Sequence, residues 1–331
     1  MHFLLGQFLV RPPYPTGSYA GKTIIITGSN QGLGKEAARH YARLGASRII
    51  LAVRSLDKGH DAKHDIEHTT QCGPNTLQVW QLDMASYSSV CQFAARVRSE
   101  LDRVDIALLN AGLAPARHAV AEGNEVLFTV NCISTVLLAV QLVPKLQATA
   151  ARFSVRPVMC LTSSVAHTFT PFAEKSAPEG QIFAALNKRA ATDGSYGARE
   201  DLYSISKLLP ILAVRAMAEK CSASKAPITI NLADPGLCWS GLARDFSGGV
   251  GNWLFMTVVA RSTEVGSRTL VHAAAQGPES HGCYLSGCQI EEPSPVITGP
   301  GGKELQERVW KELVTQLEAI QPGGTTNALS G

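Results

Sequence analysis

Tyr203 and Lys207 are the residues whose types and spacing point most directly to chemistry. They stand four positions apart, which is one turn of a helix, so the phenol and the ammonium project from the same face. A cation beside a phenol favours the phenolate and is expected to lower the tyrosine pKa from about 10. Of the seven tyrosines, only Tyr203 has a lysine at this spacing. The pair indicates a proton donor, although an amphipathic helix with one lysine along its side shows the same pattern.

A glycine-rich turn, Thr27–Gly34, follows the first predicted strand and opens the first predicted helix. Its glycines permit a tight turn and a close approach of the backbone, and the N-terminus of the helix favours a pyrophosphate. In this context the spacing TGxxxGxG predicts a dinucleotide site. The residues expected to contact the cofactor here are Gly28, Asn30, Gly32, Leu33 and Gly34.

Arg54 selects between the two nicotinamide cofactors. A site for NAD places Asp or Glu at the end of the second strand to bind the ribose 2′-hydroxyl. This chain has Leu-Ala-Val-Arg54 there, and the next acid is Asp57. An arginine pairs with a 2′-phosphate, and Ser55 and Lys58 stand close enough in sequence to help. The prediction is NADP(H), against the alternative of a solvated arginine at a strand end.

Short β-branched runs alternate with segments of helical period through the first half of the chain. This alternation predicts an α/β fold, a doubly wound parallel sheet of Rossmann type with helices on both faces. The predicted strands are 22–27, 48–53, 78–82, 105–109, 158–163 and 228–232. The predicted helices are 34–44, 56–68, 88–101, 125–146, about 200–221 and 302–320.

Composition excludes several classes of protein. With 45% apolar and 17% charged residues, the 331-residue chain is typical of a globular enzyme. A net charge of +3 without a Lys/Arg run gives no sign of nucleic acid. The eight cysteines show neither disulfide nor metal-ligand spacing, which indicates a reduced cytoplasmic protein without a metal site.

A single domain over 21–321 is expected, because no repeat or linker divides the chain. Residues 1–20 are expected to form an arm packed across that domain, with attachment of residues 1–12 to a membrane surface as the alternative. Residues 322–331 are expected to be a disordered tail. The apolar stretch Val126–Val143 carries polar residues, among them Asn131, Ser134, Thr135 and Gln141, so we expect a buried helix and no membrane span.

Taken together, these motifs resemble the short-chain dehydrogenase/reductase family over roughly residues 21–290, closest to its retinol-dehydrogenase-like and fungal secondary-metabolism branches. The resemblance implies a Rossmann-type fold, a nicotinamide cofactor and a carbonyl/alcohol redox reaction on a small molecule. It implies that Tyr203 protonates the carbonyl oxygen and that Lys207 assists it and binds the nicotinamide ribose. Ser164 (or Ser163, if the register is off by one) polarises that oxygen, and Asn131 holds a water that leads to Lys207. The further cofactor contacts it implies are Asp83, Asn110, Ala111, Gly112, Pro235, Gly236 and Ser240.

The chain departs from the family pattern in two places. Ser164 and Tyr203 stand 39 positions apart, about three times the usual interval, so we expect an inserted loop over the substrate pocket at about 168–199. Such insertions cover the dimerisation face in some members, which leaves both a homodimer and a monomer open. Ser240 replaces the threonine expected after Pro235-Gly236, within a predicted substrate lid at about 237–262.

These features predict an NADPH-dependent carbonyl reductase or alcohol dehydrogenase acting on an apolar or natural-product substrate. Two alternatives remain open. The same fold could perform a redox-neutral dehydration or isomerisation, or it could serve as a catalytically silent NADP-binding regulator. An intact set of Asn131, Ser164, Tyr203 and Lys207 argues against the silent regulator, since a binding module needs no proton donor.

Overall fold

One large sheet organises the chain, in a computed structural model that describes residues 7, 11–114, 117–221, 227–239 and 259–329. Its strands are β1 (Thr23–Thr27), β2 (Arg48–Val53), β3 (Leu77–Gln81), β4 (Ile106–Leu109), β7 (Val158–Thr162), β8 (Thr229–Asp234), β9 (Tyr284–Ser286) and β10 (Gln289–Glu291), while β5 (Val120–Ala121) and β6 (Asn124–Glu125) form a separate hairpin. The order is β10-β9-β8-β7-β4-β1-β2-β3. Neighbouring strands in this sheet are parallel, except that β10 pairs with β9 in the antiparallel direction. The predicted doubly wound α/β fold is confirmed.

Helices cover both faces of the sheet and were largely predicted by the 3.6-residue period. They are α1 (Gly32–Arg43), α2 (Leu56–Thr70), α3 (Tyr87–Glu100), α4 (Val126–Phe153), α5 (Ile182–Thr192), α6 (Tyr196–Lys220), α7 (Thr263–Ala273), the single turn α8 (Pro295–Thr298), α9 (Gly302–Ile320) and α10 (Gly324–Leu329). Serine side chains cap α2, α3, α6 and α7, which explains why the helices begin where they do.

The core has one layer on each side of the sheet. All five residues of β1, Thr-Ile-Ile-Ile-Thr, are buried, as expected for a strand covered on both faces. One layer packs α3, α4 and α6 against the sheet, and the other packs α1 and α7. In the part of the chain that the structure describes, α4 is the one helix apolar and long enough to span a membrane, but 94% of its apolar window is buried inside the protein. It is therefore a core helix, as predicted.

The described part of the N-terminal arm packs across α1 and α7. Tyr14 lies under the guanidinium groups of Arg43 and Arg268, which also donate hydrogen bonds to the backbone of the arm at Pro15 and Pro12. Nearer the N-terminus, the buried Gln7 amide donates to the carbonyl oxygens of residues 237 and 259. This end of the arm therefore joins the two backbone segments that flank residues 240–258.

Two expectations about irregular segments were wrong. Residues 168–199, expected to be a loop, contain α5 and the first residues of α6. The buried carboxylate of Glu312 on α9 accepts hydrogen bonds from the Ile182 and Phe183 N–H groups and so caps α5 from a distant element. Residues 322–331, expected to be disordered, contain α10, whose first turn is held by the Glu318 carboxylate and which packs against α4.

The strand order places a crevice at the carboxyl edge of the sheet. From β1 the order runs through β2 to β3 in one direction and through β4 to β7 and β8 in the other. Ligands of open α/β sheets bind outside the carboxyl ends of the strands where the order reverses. Here that point lies between β1 and β4, directly beside the glycine-rich turn.

Candidate active site

The glycine-rich turn needs glycine at three positions. Gly28 and Gly32 have φ angles of +66° and +60°, a conformation that other residues rarely adopt. A Cβ on Gly28 would lie 2.9 Å from the Ala111 Cα. One on Gly34 would lie 2.6 Å from the Gly28 oxygen and 2.7 Å from the Asn110 Nδ2. Backbone from β1 and from the loop after β4 therefore meets here with no room for side chains.

Asn110 holds this meeting point together. Its Nδ2 donates to the carbonyl oxygens of Thr27 and Gly28 at 3.1 and 3.3 Å, and its Oδ1 accepts from the Thr162 hydroxyl at 3.4 Å. The Ala111 N–H donates to the Thr27 Oγ1 at 2.9 Å. One asparagine thus ties together the ends of β1, β4 and β7, which are the strands on both sides of the crevice.

The turn suits a dinucleotide. The N-cap residue of α1, Gln31, makes no side-chain hydrogen bond to the first turn of the helix, and such an N-terminus binds phosphate oxygens readily. Asn30 is half-buried in the turn. Leu33 instead packs against α7, since a Cβ on Gly266 would lie 2.9 Å from its Cδ2. We therefore expect Leu33 to contact the cofactor through its backbone.

Arg54 and Asp83 lie at the ends of β2 and β3, on the α1 side of the crevice. The Arg54 side chain is exposed, and its carbonyl accepts a hydrogen bond from Gln81 at 2.7 Å. The Asp83 Oδ1 accepts from the Ala85 N–H at 3.0 Å, and the Asp83 N–H donates to the Ser89 hydroxyl. The Asp83 carboxylate is thus held by its own loop, whereas at Arg54 the hydrogen bond holds the backbone and the side chain is exposed.

Ser164 and Tyr203 meet across the β7 end. A hydrogen bond joins the Ser164 hydroxyl to the Tyr203 phenol, and the Ser164 Oγ also accepts from the Ala166 N–H at 3.1 Å. The hydroxyl of Ser163, the alternative serine, is buried and has no hydrogen-bond partner among the described residues. The structure therefore brings Ser164, and not Ser163, to the tyrosine.

The pKa of Tyr203 moves against the expectation from sequence. Burial raises it to about 12, because desolvation disfavours the phenolate, while the hydrogen bond from Ser164 acts in the opposite direction. Burial lowers the pKa of Lys207 to about 8. The Lys207 Nζ donates to the Thr162 carbonyl oxygen at 3.4 Å. At neutral pH the pair therefore consists of a protonated phenol and an ammonium, the forms that a proton donor and its assisting cation require.

Asn131 lies in a π-helical stretch of α4, Thr129–Ser134, an irregularity often found at functional sites. Its side-chain amide accepts from the Leu113 N–H and donates to the Leu113 carbonyl oxygen, both at 2.9 Å. It also donates to the Ser206 hydroxyl at 2.9 Å. A Cβ on Gly112 would lie 3.2 Å from the Asn131 Oδ1 and 3.4 Å from the Lys207 Nζ. Asn131, Gly112 and Lys207 are thus direct neighbours.

The turn after β8 completes this edge. Gly236 follows Pro235 with a φ of +74°, and its N–H donates to the Asp234 carboxylate at 2.9 Å. A Cβ on Gly236 would lie 2.7 Å from the Gln7 Oε1, so the arm packs directly on this turn. The predicted contact Ser240, like most of the predicted lid, lies outside the described residues.

Sequence reasoning missed two groups that support the site. A buried ion pair joins Arg199 on α6 to Glu125 at the start of α4 at 2.9 Å, fixing the Tyr203 helix to the Asn131 helix. The buried His167 ring bonds to the Ser164 carbonyl oxygen at 2.6 Å and accepts from the Ser294 N–H at 3.1 Å. It is an anchor of Ser164. Neither group has a signal in the sequence, since the partners of these residues are distant along the chain.

The fold and this edge define a nucleotide-binding α/β protein of Rossmann type with a serine–tyrosine–lysine site. The family model for short chain dehydrogenase matches residues 22–177. A short chain dehydrogenase/reductase of a Cryptosporiopsis species is 58% identical over 327 residues, covering 99% of this chain and 100% of the relative. A short-chain dehydrogenase of Penicillium roqueforti is 40% identical, covering 98% of this chain and 84% of the relative. The chain belongs to the short-chain dehydrogenase/reductase family, whose members are oxidoreductases that use a nicotinamide cofactor.

Solved structures resemble the chain in fold. The NADP complex of RhlG from Pseudomonas aeruginosa has a TM-score of 0.60 at 20% identity, over 81% of this chain and 95% of that one. The NADH complex of a 3-ketoacyl-(acyl-carrier-protein) reductase from Brucella melitensis has a TM-score of 0.59 at 16% identity, over 81% and 97%. These neighbours include complexes with either cofactor, so the choice between NAD and NADP depends on the residues of this chain.

Proposed function

We propose that this protein is an NADPH-dependent carbonyl reductase that converts a ketone or aldehyde to an alcohol, or runs the reverse reaction. The observation that supports it best is the hydrogen bond between Ser164 and Tyr203, with Lys207 one turn away, at the same sheet edge as the glycine-rich turn. A protein that only bound the nucleotide would have no use for a half-buried phenol aligned with a serine hydroxyl beside that turn.

The cofactor is assigned to the glycine-rich turn and the neighbouring strand ends. Gly28, Gly34 and the N-terminus of α1 would hold the pyrophosphate, because the close packing at the two glycines shapes the turn and the first turn of α1 has no side-chain cap. Asp83 would bind the adenine, and the backbone at Asn110, Ala111 and Gly112 would run along the cofactor. Contacts from Pro235, Gly236 and Ser240 would complete the nicotinamide end. When bound, the nicotinamide supplies the hydride.

The residues of the chain supply the proton and polarise the carbonyl group of the substrate. Tyr203 holds its proton at neutral pH and donates it to the carbonyl oxygen of the substrate. Ser164 donates a hydrogen bond to the same oxygen, whose negative charge grows during the reaction. The Lys207 ammonium stabilises the phenolate left on Tyr203, and Asn131 would hold a water through which the proton is replaced. Proton donation of this kind contributes about 10²- to 10⁴-fold.

Arg54 is assigned to the 2′-phosphate. Its side chain is exposed at the end of β2, where an NAD site would carry an acid. Replacing it by alanine should weaken NADPH binding by about 10- to 100-fold, the value of one or two charge-assisted hydrogen bonds, and leave NADH binding unchanged. Arg98→Ala, at an exposed arginine on α3, is the matched control. Equal losses for both cofactors would contradict the assignment.

Oxidation of NADPH and NADH at 340 nm against a panel of ketones, aldehydes and quinones tests the activity itself. Turnover that is lost in Tyr203→Phe, with NADPH binding retained by fluorescence titration, supports the reductase. A fully active Tyr203→Phe variant refutes the proton donor. A substrate that is converted without net change in NADPH would establish the redox-neutral dehydratase or isomerase instead. We further propose a cytoplasmic location, since all eight cysteines are free thiols.

A further inference from the structure

Asp234, the last residue of β8, carries a buried carboxylate beside the proposed site. The residue is 2% exposed. Its Oδ1 accepts from the Gly236 N–H at 2.9 Å, and its Oδ2 accepts from the Tyr284 and Ser286 hydroxyls, both at 3.2 Å. All three donors are neutral groups. They satisfy the oxygen atoms and fix the carboxylate, but they leave its negative charge uncompensated, and a buried charge is costly unless a cation lies nearby.

The strand register brings Lys207 to the same place. Its Nζ donates to the Thr162 carbonyl oxygen, and Thr162 is paired in register with Ala233, the residue before Asp234. Adjacent strands lie about 4.8 Å apart, so the ammonium and the carboxylate occupy neighbouring strand ends. Lys207 is itself only 7% exposed. A buried cation and a buried anion therefore lie at the ends of two neighbouring strands, β7 and β8.

We propose that Asp234 is a positioning residue of the reaction: its fixed carboxylate keeps the buried Lys207 charged at working pH and holds the Pro235–Gly236 turn in place. The inference rests on the proposed function for its consequence in catalysis. Its electrostatic part, the effect of the Asp234 carboxylate on the charge of Lys207, requires neither cofactor nor substrate.

The charges around the site agree with this role. The negative charge of Asp234 raises the pKa of Lys207, against the larger lowering by burial, and also contributes to the raised pKa of Tyr203. The other titratable and charged groups that face the carboxylate or its turn come from the neighbouring elements: His167 after β7, Tyr284 on β9, and Cys238 and Arg261 beyond the turn. Of these, Arg261 is the second cation, and it lies against Gly236.

Without the carboxylate, the ammonium of Lys207 loses its stabilisation and its pKa falls below about 8. The phenol of Tyr203 likewise ionises at lower pH. Because of both changes, the active protonation state is lost at a lower pH than in the wild type. In Asp234→Asn, which keeps the acceptor for the Gly236 N–H, the alkaline limb of kcat/KM should therefore move to lower pH by about 1 unit.

The decisive measurement is a pH titration of the Lys207 ¹⁵Nζ resonance by NMR, assigned through its loss in Lys207→Met. The midpoint should fall by about 1 unit in Asp234→Asn, and also in Asp234→Ser, which serves if the asparagine variant does not fold. Tyr284→Phe removes one hydrogen bond but keeps the charge, so its midpoint should match the wild type. Asp105→Asn is the second control, because Asp105 is a buried carboxylate at the opposite edge of the sheet.

An unchanged midpoint in a folded, neutral Asp234 variant would overturn the inference. So would a fall of the same size in Tyr284→Phe or Asp105→Asn, which would mark a general loosening of the fold. The titration needs neither substrate nor turnover. A protein that reduces no carbonyl compound would therefore defeat the proposed function while leaving the link between Asp234 and Lys207 intact, and the two failures are distinguishable.

Discussion

Replacing Glu312 by glutamine should loosen the inserted segment without touching the nucleotide site. The carboxylate lies on α9, and its two oxygens accept from the Ile182 and Phe183 N–H groups at 3.1 and 3.2 Å. Gln181, the N-cap residue of α5, contributes no side-chain bond of its own. Glu312 is therefore the cap of α5. Glutamine keeps one acceptor, loses the charge and turns an amide N–H toward a backbone N–H.

The two hydrogen bonds to Glu312 set the size of the loss in stability. Hydrogen bonds to a charged group contribute about 1.5–3 kcal/mol each, and one is lost while the other becomes neutral, so the free energy of unfolding should fall by about 2–3 kcal/mol. At about 2.1 cal/mol/K per residue, 331 residues give an unfolding entropy of about 0.7 kcal/mol/K. The melting temperature should then fall by about 3–4 °C. Calorimetry and urea unfolding measure both quantities.

Glu307→Gln is the matched control. That carboxylate lies on the same helix, is 68% exposed and sits 3.9 Å from the Lys303 Nζ. An exposed pair of this kind contributes at most about 1 kcal/mol, so the melting temperature should change by about 1 °C or less. The NADPH dissociation constant should stay at the wild-type value in both variants, since β1 and α1 are untouched. Equal melting temperatures for Glu312→Gln and the wild type would refute the capping argument.

Three further outcomes are expected. Gly34→Ala should abolish NADPH binding measured by fluorescence, because its Cβ would lie 2.6 Å from the Gly28 oxygen, whereas Gly194→Ala, with open space around it and no positive φ angle, should bind normally; tight binding by Gly34→Ala would contradict the close packing. Light scattering should give the mass of one chain, 35.3 kDa, because α3, α6 and α10 cover the apolar helix α4; a dimer mass would contradict this. His167→Ala should lower kcat more than NADPH affinity, since the ring anchors the backbone of Ser164; unchanged kinetics would show that Ser164 needs no such anchor.

Local patterns predicted the elements of this fold well, and they did so for a physical reason. Strands covered on both faces need continuous β-branched runs such as Thr-Ile-Ile-Ile-Thr at β1, and α9 showed its leucines at helical spacing and was predicted at its observed bounds, Gly302–Ile320. The glycine-rich turn was readable because its φ angles and close contacts leave glycine as the only choice. These signals lie within a few residues of the feature that they specify.

The rest depends on partners far apart in sequence. Helix α5 begins where it does because of Glu312, about 130 positions away, so its own residues gave no boundary. The pKa of Tyr203 could not be read from the spacing to Lys207, because burial acts more strongly than any neighbouring group. Asp234 precedes a Pro-Gly pair, a common turn sequence, and its two hydroxyl partners come from β9, about 50 positions away. In each case tertiary packing decided the outcome.

We expect substrate choice and chemistry to depend on different parts of this chain. The proton donor, its serine and the glycine-rich turn are tied to the ends of β1, β4 and β7 through Asn110 and backbone contacts. The inserted segment has attachments of its own: Glu312 caps α5 from α9, and Arg189 on α5 pairs with Glu174 and with Asp201 on the Tyr203 helix. Arg199, at the end of the segment, fixes the Tyr203 helix through Glu125, so we expect changes at other positions within residues 168–199 to alter which carbonyl compound reaches Tyr203 while the proton donor stays in place. The substrate should therefore be sought by varying this segment.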